Sequence, residues 1–156
     1  MKTLKSVFIF FFLNLSNRKP IEMKIKTAIR LSLALMLLQL LPLFISLFSP
    51  EFMNILVADA FGDSPSNDAI IMFETFALVV ALMGIGICFL MYGSLSFEEE
   101  SVLKRLCFLF FVIMGFFGLP DLIGFLKGDP TAPLPVIAMN LTAIIVLYYG
   151  SKKGTI

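Results

Sequence analysis

The sequence has no histidine, no tryptophan and two cysteines, and only 15% of its 156 residues are charged. Without histidine the chain lacks the commonest metal ligand, the usual haem ligand and the side chain most used as a general base. Cys88 and Cys107 form no CxxC pair and suggest no disulfide framework. They read as small packing residues rather than redox or metal-binding groups. No metal and no cofactor is therefore expected, and no residue set points to an enzyme. A net charge of +1 leaves no excess of cations to neutralise phosphates, so nucleic acid is not an expected partner.

What the chain does have is apolar surface. Hydrophobic residues make up 59% of it, phenylalanine alone occurring 18 times. A soluble domain of this size buries too little of its surface to hide that much. The apolar residues also fall in long runs, so the solvent they face is lipid. Four runs have about the 17–25 residues that a membrane-crossing helix needs. They cover about 31–48, 69–95, 106–126 and 132–149, and the first contains Gln39 and Pro42. Backbone groups in lipid must be satisfied within the segment, which selects helices. The fold expected for 23–156 is an all-α four-helix transmembrane bundle. Residues 1–22 pair Lys2 and Lys5 with an apolar run too short to span, and lack a cleavage-site pattern. They read as an interfacial segment or an over-extended start, with Met23 opening a complete membrane-protein beginning.

Basic residues set the expected orientation. With the N-terminus inside, eleven of the twelve Lys/Arg fall on the cytoplasmic side and only Lys127 falls outside. Tyr92, Tyr148 and Tyr149 also sit at cytoplasmic helix ends, where amphipathic rings favour the headgroup layer. Both termini are thus expected in the cytoplasm, and a bacterial chain of this kind would lie in the inner membrane. Ser96 and Glu99 have capping-box spacing before the third span. Asp129-Pro130 suits the start of the fourth. Ser49, Pro50 and Gly62 bracket a short interfacial helix, in which Phe52, Ile55 and Leu56 would rest on the bilayer or the bundle.

Each span contributes a carboxylate or amide to its outer half: Gln39, Glu74, Asp121 and Asn140. Ionisable residues in membrane helices usually face the bundle interior and mark function. Glu74 and Asp121 meeting there, with Asn140 and Gln39 beside them, would form a pocket for a cation, a proton or a ligand hydroxyl. The plainer reading has both carboxylates reaching water at the membrane edge, with the amides serving as inter-helix hydrogen bonds. Pro120 either frees a carbonyl beside Asp121 or simply shapes the helix. Thr142 is expected to bond its own helix backbone.

The second span also bears a small-residue stripe, Ala77, Ala81, Gly84 and Cys88, at helical spacing beside Glu74. It predicts close packing on the third span, whose Gly115 and Gly118 offer low relief, and an inward-pointing Glu74. An oligomer contact is the other use for such a stripe. The Phe-rich run of the third span reads as lipid-facing and core filling.

From Glu74 to Gly150 the chain resembles small four-helix membrane proteins of the DoxX-like type, a group that includes a domain of unknown function. The resemblance rests on Phe73-Glu74 near the start of the second helix, a Gly/Ala-rich continuation and a short charged turn. It continues in LPDLIGFLKGDPTAPLP leading into the fourth helix. Such proteins often carry a basic residue after the acid and an acid in helix four, where this chain has Thr75 or Phe76 and Asn140. The resemblance implies a bundle architecture.

Three functions fit. The leading one is an accessory or structural subunit that packs against a membrane-protein partner or a second copy of itself. The next is a binder or carrier of a small hydrophobic or cationic ligand, or a proton-coupled transporter. The last is a membrane enzyme acting on a lipid or quinone.

Overall fold

The structure is a computed structural model that describes residues 23–62, 64–128 and 132–156. The segment 1–22 and the Asp129-Pro130 helix start lie outside the described residues. Five helices follow in order: α1 (Ile25–Phe48), α2 (Pro50–Phe61), α3 (Asn67–Ser94), α4 (Glu100–Lys127) and α5 (Leu134–Lys153). All but α2 are long and apolar enough to cross a membrane. Only 22–28% of the residues in their most apolar stretches are buried inside the chain. Phe76, Leu82, Phe89, Phe116 and Ile145 all face outward, which is stable where lipid is the solvent.

The helices overrun the apolar stretches. α1 begins six residues before Leu31 and α4 six before Leu106, because backbone hydrogen bonding continues through the polar flanking turns that carry Lys26, Arg30, Lys104 and Arg105. A 28-residue helix spans about 42 Å against a core of about 30 Å, so α3 and α4 project at their ends. On the α4 projection Lys104 pairs with Glu100 at 2.6 Å, the i,i+4 spacing that adds a few tenths of a kcal/mol.

Helix ends follow local chemistry, with exceptions. Ser49 caps α2 by accepting the Phe52 N–H at 3.3 Å, Pro50 opens the helix, and Gly62 closes it with φ of 86°. Ser66 caps α3 by accepting the Ala69 N–H at 3.2 Å. The capping box expected from Ser96 and Glu99 does not form. Ser96 donates back to the Gly93 carbonyl at 2.8 Å, while Glu99 is the cap residue of α4 and accepts from the Ser101 hydroxyl. The fourth span starts at Leu134 behind Pro133, two residues later than expected. α4 runs unbroken through Pro120. In α2 the residues that cover the bundle are Met53 and Val57, whereas Ile55 is exposed.

Helix α1 is the centre of the arrangement. It packs against α3 on one side and α5 on the other, with α2 folded back over its far end, while α4 lies mainly along α5. α1 and α5 run antiparallel. The Ile25 N–H donates to the Thr155 carbonyl at 2.8 Å, and the Thr155 N–H donates to the Met23 carbonyl at 3.3 Å. The start of α1 and the end of α5 are therefore stitched together at one end of the bundle. Gly150 makes the approach close, since a Cβ there would stand 3.0 Å from Ala28 Cβ and 3.3 Å from Cys107 Sγ. Ile25, Ile29, Met36, Leu40, Met91, Leu103, Phe110, Met114 and Leu147 fill the core, with both cysteines buried among them.

The expected α3–α4 pairing is not what forms, since these two helices touch only sparingly. The stripe Ala77, Ala81, Gly84 and Cys88 is buried, but its partner is α1. A Cβ on Gly84 would stand 2.6 Å from the Leu40 methyls. The low relief of α3 thus receives a bulky leucine rather than another small residue. Gly115 has nothing within 4 Å of its Cβ direction, and Gly118 faces α5.

Candidate functional site

Two of the four polar residues come together. Asn140 of α5 is buried, and its Nδ2 donates to Gln39 Oε1 of α1 over 3.5 Å. The Asn140 amide lies directly on Gly118 of α4. Three helices therefore meet at one point, and the missing side chain of Gly118 makes room for the amide. Gln39 Nε2 is buried beside it and finds no hydrogen-bond partner among the described residues. An unsatisfied buried donor costs about 1–3 kcal/mol, so this nitrogen has hydrogen-bonding capacity left over at the junction.

A second polar tie lies nearer the stitched end. The Ser32 hydroxyl donates to the Ala143 carbonyl at 3.3 Å in a fully buried setting. Ser32 and Gln39 are two turns apart on α1, and Ala143 and Asn140 three residues apart on α5, so the two contacts form a polar seam along this pair. In the sequence Ser32 does not stand out as a site residue. Its spacing from Gln39 was visible, but a lone serine in an apolar helix more often bonds its own backbone, as Thr142 does with the Ala138 carbonyl at 2.7 Å.

The carboxylates are placed differently. Asp121 is half-buried on α4, one turn beyond Gly118 toward Lys127, and is engaged in an interaction. Glu74 is exposed on the flank of α3, outside the buried stripe. The expectation that the stripe would turn Glu74 inward fails. The stripe faces α1, and the adjoining flank carrying Glu74, Thr75 and Phe76 is left on the outside of the bundle. α3 meets α4 too little to cover it.

The seam offers amide and hydroxyl groups at the Gln39–Asn140 junction, suited to holding a neutral polar group or fixing helix register. It contains no titratable side chain of its own. Among the described residues no group of three or more Cys, Asp or Glu side chains is arranged to hold a metal ion. Compared with protein-family models, curated proteins and solved structures, the chain matches none.

Proposed function

We propose that this chain is an accessory or structural membrane protein that crosses the bilayer four times and docks on a membrane-protein partner through the exposed flank of α3. The observation that carries the reading is the position of Glu74. With α3 centred in the bilayer, this carboxylate lies about 5 Å inside the apolar layer and on the outside of the bundle. A carboxylate facing lipid at that depth is unfavourable, and a basic or hydroxyl-bearing helix of a neighbour would satisfy it. The sparse contact of α3 with α4 leaves that flank open to such a neighbour.

Both ends are read as cytoplasmic. Of the described basic residues, Lys24, Lys26, Arg30, Lys104, Arg105, Lys152 and Lys153 cluster at the stitched end, with Lys127 alone at the other, and basic ends stay inside. The likeness to DoxX-like proteins supports the bundle architecture alone.

The test is photocrosslinking in native membranes from a benzophenone at Leu78 or Leu82, both outward-facing on α3. A discrete crosslinked band that fades with Glu74→Gln supports the docking face, and its mass separates a different protein from a second copy of this chain. Lipid adducts alone, as expected from Ile145 on α5, would refute it. A second reading, a binder of a small polar ligand, is favoured by the uncommitted Gln39 Nε2 at the junction with Asn140. It would place the ligand between α1, α4 and α5, with Asp121 nearby.

A further inference from the structure

A groove of about 400 Å³ lies between α4 and α5 at the stitched end, lined by Lys104, Arg105, Phe108, Leu109, Ser151 and Lys152. Its composition is stratified. Lys104 and Arg105 come from the first turns of α4 and Lys152 from the last turn of α5, so the cations sit where both helices leave the apolar layer. Phe108 and Leu109 lie four residues further along α4, about 6 Å deeper, and are 44% and 54% exposed. The apolar wall continues sideways, since Phe108 packs on Phe111 at 5.9 Å and Phe111 on Tyr148 of α5 at 5.3 Å. The groove thus opens toward the bilayer, with positive charge at headgroup level and aromatic surface at the level of acyl chains.

We propose that this groove is a site for one anionic phospholipid, its phosphodiester held by Arg105 and Lys152 and its upper acyl chain laid on Phe108 and Leu109. Charge balance favours this occupant. Of the three cations only Lys104 has an ion-pair partner among the described residues, Glu100, which leaves Arg105 and Lys152 to meet an anionic ligand. Arg105 supplies the planar fork that grips a phosphate through two donors. Basic recesses between membrane helices are suited to acidic headgroups. A free phosphate would meet the same cations but gain nothing from the exposed aromatic wall below them. The site is at the opposite end of the bundle from Glu74 and does not depend on the partner reading.

The experiment uses the full chain, purified in mild detergent and delipidated. Phosphatidylglycerol and phosphatidylcholine with identical acyl chains are added in turn, and bound lipid is counted by native mass spectrometry. Wild type should retain phosphatidylglycerol selectively. A charge near the membrane surface contributes about 1 kcal/mol to anionic-lipid attraction, so Arg105→Gln should weaken retention about fivefold and Arg105→Gln/Lys152→Gln about 25-fold. Lys24→Gln/Lys26→Gln removes the same charge at the same end but outside the groove, and should leave retention within about twofold. Circular dichroism of each variant checks that it is folded.

Equal retention of the two lipids would overturn the proposal, as would equal losses in the two double variants, which would show a diffuse surface charge. Thermal stabilisation by inorganic phosphate equal to that by phosphatidylglycerol would overturn the lipid assignment in favour of a phosphate site.

Discussion

Gly118 of α4 and Asn140 of α5 are in contact so close that a methyl group on the glycine would overlap the amide. This contact sets the separation of α4 and α5 at the level where Gln39 joins from α1. Small residues that let helices approach, with polar groups bonded across the interface, hold membrane helices together when lipid removes the hydrophobic drive for association.

Gly118→Ala should therefore destabilise the isolated protein by about 1–3 kcal/mol, the cost typical of overpacking a well-filled contact. Gly115→Ala, on the same helix but with nothing within 4 Å, should leave stability unchanged or slightly raised, since alanine is the better helix former. Thermal unfolding of both variants in one detergent measures the contrast. Equal effects would mean that the Asn140 contact does not set the spacing.

The α1–α3 contact makes a compensation prediction. Gly84→Leu should be strongly destabilising because its side chain would enter the space of Leu40. Gly84→Ala should be milder, since the Leu40 methyls can turn aside. Pairing Gly84→Leu with Leu40→Ala should recover part of the loss, and a double-mutant cycle would show coupling of about 0.5–3 kcal/mol. Strict additivity would dissociate the two residues.

Topology is tested by reporter fusions. The stitching of Met23–Ile25 to Thr155 puts Gly154 beside the start of α1, whereas the turn between α2 and α3 lies at the far end of two spans. Reporters at Gly154 and Ser66 should respond from opposite sides of the membrane, with Gly154 cytoplasmic. A common side would reject the four-span arrangement.

Glu74→Gln separates folding from docking. The side chain is exposed, so the isolated protein should unfold within about 0.5 kcal/mol of wild type, as surface substitutions generally do. Loss of a partner from the native membrane complex should be visible in native mass spectra at the same time. A large loss of stability in the isolated chain would instead place Glu74 in an intramolecular contact.

The amino-acid pattern by itself determined the helical class, the number of apolar spans, the short helix opened by Ser49-Pro50 and closed at Gly62, and the concentration of basic residues at one end. These depend on length, hydropathy and residues adjacent in the chain. It also picked out Gln39 and Asn140 as groups worth attention, because amides are rare enough in lipid-facing helices to stand out. Which helices are neighbours was decided only in three dimensions. The glycine stripe of α3 was legible, but its fit to Leu40 of α1 rather than to Gly115 and Gly118 was not. With the stripe turned to α1, Glu74 came to lie outside and Asn140 took the space over Gly118. The meeting of Lys104-Arg105 with Lys152 likewise required α4 and α5 to be adjacent. In lipid every apolar face is equally soluble, so hydrophobicity carries no information about helix order, and shape and a few polar contacts settle it.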